Sequence, residues 1–254
     1  MLENLFFTFI VGIAAGIIGS LLGLGGGIII SPILVISGFL PSQVASTSLL
    51  AVASTGASST VSYSIKRKIS YSIGIKVAVF AVPFTVIGAF ISSELNPGEF
   101  KVYFAILLIS MSIYLLIRKS PKGEILNNGH KIKSGSSALL YAGSAAAGLI
   151  SSLFGLGGGI IFVPLLTAVK KLSMQQSVAT SQLCILITSV SGILIHSVLF
   201  QQDYVFGGTI ALGAVLGAQV GSAIAIRISE RLLTTIFSLS LIVISIQLIS
   251  GYLQ

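Results

Sequence analysis

Charge is what this sequence has least of. Only 8% of its 254 residues are Asp, Glu, Lys or Arg, about a third of the share in ordinary soluble domains. Acids are scarcest: Glu3, Glu94, Glu99, Glu124, Asp203 and Glu230 are all six of them, and each falls in a terminus or between apolar runs. Cation sites and carboxylate proton relays inside a membrane usually rest on an embedded acid, and none is present. One cysteine, Cys184, excludes a disulfide framework, a paired-cysteine metal motif and a c-type haem motif; set in an apolar run, it reads as a small core residue. The glycine-rich stretches lack the Gly-Lys-Ser/Thr ending of a P-loop and the third glycine of the dinucleotide fingerprint. No cofactor, no metal, no ATP-driven step and no enzymatic activity are therefore expected.

What is there is apolar: 54% of the residues are hydrophobic, in runs near the length of about 20 residues that a helix needs to cross a bilayer. The ten-residue alternation of a membrane β-barrel is missing. The expectation is an all-α polytopic membrane protein with the lipid bilayer as its main partner. Fourteen Lys and Arg against six acids give +8, which in a soluble chain would suggest nucleic acid. Here the cations sit in short loops, so they read as orientation signals, with no nucleic-acid partner. The N-terminus, MLENLFFTFIVGIAAG, lacks the basic start of a signal peptide and is kept in the mature fold.

The chain repeats itself. A shift of 132 superimposes Gly16, Gly23, Gly25, Gly26, Gly27 and Pro32 on Gly148, Gly155, Gly157, Gly158, Gly159 and Pro164. At 133, Gln43, Thr47 and Ser48 meet Gln176, Thr180 and Ser181, and Tyr71, Gly88 and Phe104 meet Tyr204, Gly221 and Phe237. Two repeats follow, 1–118 and 138–254, joined by a polar linker, 119–137. Each reads as a glycine-broken segment (5–37, 138–168) with two arms of about 13–15 residues, each too short to span alone. Three helices follow in each repeat, expected at 43–65, 72–93 and 99–117, and at 174–199, 205–226 and 232–251. Pro41, and Ser173 with Gln176, look like helix starts.

Loop cations decide how the broken segment runs. If it crosses the membrane, they divide eight to five between the two sides; if it enters and leaves on one face, they divide twelve to one, with Lys101 alone outside. The second division predicts two inverted repeats, each a glycine-broken helical hairpin plus three transmembrane helices. Both termini then lie outside, and the 118–135 linker is cytoplasmic. Inverted repeats with broken helices are an architecture of secondary transporters.

Irregular backbone inside a membrane must be buried in protein or face a watery cavity. A helix restarting at Ile28 or Ile160 offers N–H groups without intrahelical partners and the positive end of its dipole. Bare glycine lets an oxyanion come close. Gly23, Gly25, Gly26, Gly27, Gly155, Gly157, Gly158 and Gly159 are thus candidate anion contacts, with Thr47, Ser48, Thr180 and Ser181 as neutral donors. The competing reading is close helix packing through small residues, as at Gly12/Gly16 and Gly213/Gly217/Gly221. His196 and its repeat mate Tyr63 either have a gating or proton-linked role or are satisfied side chains near the interface. Gln182 and Gln219 either tie helices together or touch the solute, Gln182 is a further candidate for the gating or proton-linked role, and Lys76 snorkels to the cytoplasmic surface.

These residues resemble the TauE/SafE sulfite exporter family, also called toluene sulfonate uptake permeases. The resemblance lies in G-x-G-G-G-x-x-x-x-P, here GLGGGIIISP and GLGGGIIFVP, in A-S-T-S at 45–48 and A-T-S at 179–181, and in the helix ending near His196; it covers essentially the whole chain. Ser46 departs from the glycine that often precedes the Thr-Ser pair. The resemblance implies a multi-pass plasma-membrane permease or exporter moving small sulfur-containing anions such as sulfite or organosulfonates without ATP. An anion channel, or a membrane subunit that does not transport, are the alternative readings.

Overall fold

The computed structural model describes residues 5–117, 137–199 and 204–229, with isolated positions between 232 and 246. The described residues form α1 (Leu5–Leu22), α2 (Gly27–Ile36), α3 (Pro41–Ile65), α4 (Tyr71–Glu94), α5 (Pro97–Ile117), α6 (Ser137–Phe154), α7 (Gly159–Val169), α8 (Met174–Leu199) and α9 (Tyr204–Arg227). No strand occurs among them. The helices expected within these limits are present, with ends displaced by a few residues. The linker, both termini and most of the expected 232–251 span lie outside the described residues.

Helix starts follow local chemistry. Pro41 opens α3, where the Gln43 side chain accepts the Leu40 N–H at 3.1 Å. At the equivalent start of α8 the box is reciprocal: the Gln176 N–H donates to Ser173 Oγ (3.2 Å) and the Ser173 N–H to Gln176 Oε1 (3.4 Å). Asn96 and Glu99 do the same ahead of α5.

α1, α4, α6, α8 and the Val205–Arg227 part of α9 are long and apolar enough to cross a membrane. The chain is a multi-pass membrane protein. α3 has the length but not the composition: 11 of its 25 residues are Ser or Thr. It belongs in the interior instead, packed against α1, α2, α4, α6, α8 and α9.

Each glycine turn needs backbone that only glycine adopts without strain: φ is +76°, +78° and +85° at Gly23, Gly25 and Gly26, and +72°, +72° and +80° at Gly155, Gly157 and Gly158. The turn doubles back on the helix it ends. Leu24 and Gly25 donate their N–H groups to the Gly19 carbonyl (2.8 and 3.1 Å). A methyl built on Gly26 would lie 2.9 Å from the Ala15 carbonyl oxygen, and one on Gly158 2.7 Å from that of Ala147.

The arms differ from expectation. They are unequal, with 18 residues in α1 and α6 against 10 in α2 and 11 in α7. The longer arm extends about 27 Å at 1.5 Å per residue. It runs on as helix through Gly12 and Gly16 because those glycines are seated on α9: side chains there would overlap the Ile210 and Ala214 carbonyls.

Packing between the halves comes in matched pairs. α1 lies along α9, and its repeat mate α6 lies along α4. A side chain at Gly148 would overlap the Ala81 carbonyl, and one at Gly88 the Leu149 carbonyl. α3 crosses its own mate, α8. At one end of the bundle Phe39 stacks on Phe206 (5.7 Å). Near the other, the Ser70 N–H donates to Thr180 Oγ1 (3.0 Å), and the Gln175 amide donates to the Ile226 and Ile228 carbonyls. The loops bearing Lys66–Lys68, Lys170–Lys171 and Arg227 therefore gather at that second end. α5 attaches through aromatics: Phe104 stacks on Phe154 and Phe100 meets it edge-on, both at 5.0 Å.

Candidate functional site

The two glycine turns touch. A side chain at Gly27 would overlap the Gly155 carbonyl and fall 2.9 Å from Leu156 Cα; one at Gly159 would overlap the Gly23 carbonyl and fall 2.7 Å from Leu24 Cα. Val52, midway along α3, and its mate Ile185 in α8 each pack against both Gly25 and Gly157. Every residue from Leu21 to Ile28 and from Ser151 to Thr167 is buried. Left-handed backbone thus sits at the centre of the molecule, where the halves meet.

Beyond the turns, Ile29 and Ile30 donate to the Gly26 carbonyl, and Ile161 and Phe162 to that of Gly158. The N–H groups of Gly27, Ile28, Gly159 and Ile160 find no acceptor among the described residues. These are the first residues of α2 and α7, where the helix dipole concentrates positive potential. The two ends lie close together, with no carboxylate beside them among the described residues.

Ser48 and Ser181 reach the turns, each across the repeat boundary. The Ser48 hydroxyl donates to the Gly155 carbonyl (2.8 Å) and that of Ser181 to the Gly23 carbonyl (2.9 Å). Their threonine neighbours do not. Thr180 accepts the Ser70 N–H and rests its methyl on Gly74, and Thr47 lies beside Gly207 in α9. Adjacent helical residues point about 100° apart, so a Thr-Ser pair cannot place both hydroxyls on one turn.

The mates Tyr63 and His196 occupy equivalent positions. The Tyr63 hydroxyl donates to the Ser20 carbonyl (2.9 Å), while His196 Nε2 lies 3.1 Å from the carbonyl and 3.2 Å from the hydroxyl of Ser152, the mate of Ser20. Both rings are buried, His196 completely. Its place is at the contact of α8 with α6, because one helical stripe carries Ser181, Ile185, Thr188 and His196 inward together. Gln182 ties α8 to α1 by donating to the Gly19 carbonyl (2.8 Å), and Gln219 ties α9 to α3 by donating to the carbonyl and hydroxyl of Ser58.

Three residues at the turns were not singled out from the sequence. Ser31 donates to the Phe154 carbonyl (2.8 Å) and contacts Ser48 Oγ at 3.1 Å; its mate is Val163, so the repeat conceals it. Thr188 donates to the Gly157 carbonyl (3.0 Å). Its mate Thr55 is equally buried, but its hydroxyl has no partner. Both threonines lie seven residues, two helical turns, beyond a marked serine, and that spacing was the available signal.

Comparison with known proteins finds membrane transporters. The chain is 29% identical to the probable membrane transporter protein YunE of Bacillus subtilis, over 94% of this chain and 95% of that one. A probable membrane transporter protein of Methanocaldococcus jannaschii is 28% identical over 78% and 74% of the two chains. One of Haemophilus influenzae is 27% identical over 95% and 98%. No solved structure matches. Residues 8–248 match the family model described as sulfite exporter TauE/SafE, and with both glycine turns inside that match, the chain belongs to the TauE/SafE family.

Proposed function

We propose that the protein is a secondary transporter of a small sulfur oxyanion or sulfonate, in the cell membrane, with the solute held where the glycine turns meet. The observation that carries this reading is the set of unpaired N–H groups at Gly27, Ile28, Gly159 and Ile160, buried together at the N-terminal ends of α2 and α7. Sulfite and sulfonate oxygens accept several hydrogen bonds at once, and backbone donors in a dry site meet their charge without a fixed countercharge that would hinder release. The family description and the relatives' names point the same way. Transport proceeds by rocking one half against the other about this centre, without ATP or a covalent step.

The hairpins enter and leave on one face, the second half is inverted relative to the first, both termini lie outside and the 118–135 linker is cytoplasmic. The gathering of Lys66–Lys68, Lys170–Lys171 and Arg227 at one end supports this arrangement; a segment crossing once would put Lys66–Lys68 and Lys170–Lys171 on opposite sides.

The test is a panel of sulfite, thiosulfate and sulfoacetate, with chloride as control, applied to detergent-purified protein. At least one sulfur anion raises the thermal midpoint and is taken up saturably by proteoliposomes. Absence of both effects overturns the reading. Currents far above carrier turnover would mark a channel.

A further inference from the structure

Two buried oxygens beside the first glycine turn have no partner, and both lie on one side of the pseudo-symmetric centre. Gln182 is wholly buried; its Nε2 donates to the Gly19 carbonyl, and its Oε1 has no hydrogen bond. Flipping the amide would set two carbonyl oxygens against each other, so the nitrogen is fixed toward Gly19 and the oxygen remains the open group. Thr55 is also wholly buried, and its hydroxyl is unpartnered. A helical threonine normally satisfies itself on a preceding carbonyl, and Thr188, its mate, does so on Cys184 as well as reaching Gly157.

The two groups border the same stretch of chain. The Gly19 carbonyl that holds Gln182 also takes the N–H groups of Leu24 and Gly25. Val52, a turn before Thr55, abuts Gly25, and Ser59, a turn after it, donates to Ser20 Oγ at 2.8 Å. α3 and α8 cross here, with Gly56 against the backbone of Gln182 and Leu186. In the other half the position of Gln182 is Leu49 and that of Ser59 is Gly192, and the unpartnered hydroxyl there belongs to Ser151, the mate of Gly19, so the two places carry different polar groups.

We propose that Gln182 Oε1 and the Thr55 hydroxyl form a one-sided subsite that accepts a hydrogen bond from the solute, selecting sulfur anions that carry a hydroxyl or ammonium donor near the oxyanion head. The subsite rests on the anion-binding reading of the glycine turns: the head takes the backbone N–H groups, and the donor end takes the two side-chain oxygens. An asymmetric solute then has one orientation in a nearly symmetric site.

The test compares 2-hydroxyethanesulfonate with ethanesulfonate, which share the head and differ by one donor, using thermal shift and competition for uptake by the purified full-length protein. The hydroxylated ligand binds about tenfold or more tightly, since a site built for a donor rejects the analogue without it. Gln182→Leu, the residue the other half uses at this place, brings the ratio close to one, as does the isosteric Thr55→Val. A purely structural Gln182 would lower the thermal midpoint and leave the ratio unchanged. Equal affinities in the unaltered protein, or a ratio that survives both substitutions, overturn the subsite alone. Failure of every sulfur anion to bind overturns the subsite and the anion site together. If Gln182→Leu does not fold, Thr55→Val decides.

Discussion

At the residue scale, the same amino acid serves opposite demands depending on what its missing side chain would meet. Gly159 has no room for a methyl, because the Gly23 carbonyl of the other turn occupies that place. Gly159→Ala should force the turns apart and lower stability by about 1–3 kcal/mol or more, as overpacking does, with loss of uptake. Gly208→Ala, in α9 with nothing within 4 Å of the added atom, should be neutral or slightly stabilising by helix propensity. Thermal midpoints of the two variants side by side check the contrast. Ser48 and Ser181 allow a finer comparison. Each satisfies a buried carbonyl, so alanine at either place costs about 1–3 kcal/mol. Ser48→Ala should cost more, since Ser31 also loses a contact, whereas the mate of Ser31 is an apolar valine. Equal losses in chemical denaturation would remove Ser31 from the account.

At the element scale, what holds the halves together is close approach of backbones. Side chains at Gly12, Gly16, Gly213, Gly217 and Gly221 would all overlap backbone of the facing helix along α1 and α9. The mates of Gly213 and Gly217 are Phe80 and Phe84, so α4 meets α6 with fewer such contacts, at Gly88 and Gly148. Between lipid-facing helices there is little hydrophobic drive, and packing of this kind carries the association. Gly217→Val should therefore part α1 from α9 and reduce the yield of folded protein recovered in detergent, while Leu212→Val, on the exposed face of the same helix, leaves it unchanged. Monodispersity on size-exclusion chromatography distinguishes the two outcomes. The polarity of α3 has its explanation at this scale too. Ser59 and Tyr63 bond to α1, Ser58 to α9 and Ser48 to a turn rather than facing lipid, so a composition too polar for a lone span is stable within the bundle.

At the scale of the whole molecule, the proposed orientation rests on where the cationic loops lie. The contacts of Ser70 with Thr180 and of Gln175 with the end of α9 bring those loops to one end. With Cys184 replaced by alanine, cysteines introduced at Lys68 and Lys171 should both react with an impermeant thiol reagent only from the cytoplasm, and a cysteine at Gly38 only from outside. Labelling of positions 68 and 171 from opposite faces would end the hairpin topology. The solute's route between the two faces would then need a different description.

The sequence by itself determined the membrane class and the helices found among the described residues, since apolar run length and paired glycines are local or periodic signals needing no knowledge of contacts. It also carried the marks of both glycine turns, because a positive φ repeated so densely admits no other residue. Only the tertiary structure decided that the turns abut, that Ser48 and Ser181 serve the opposite turn while their threonine neighbours face elsewhere, that His196 is enclosed, and that Thr55 and Gln182 keep unused oxygens. Those facts depend on which helices cross and at what rotation. A linear pattern cannot supply that: one residue along a helix turns a side chain about 100°, and the partner it then meets comes from the other half of the chain.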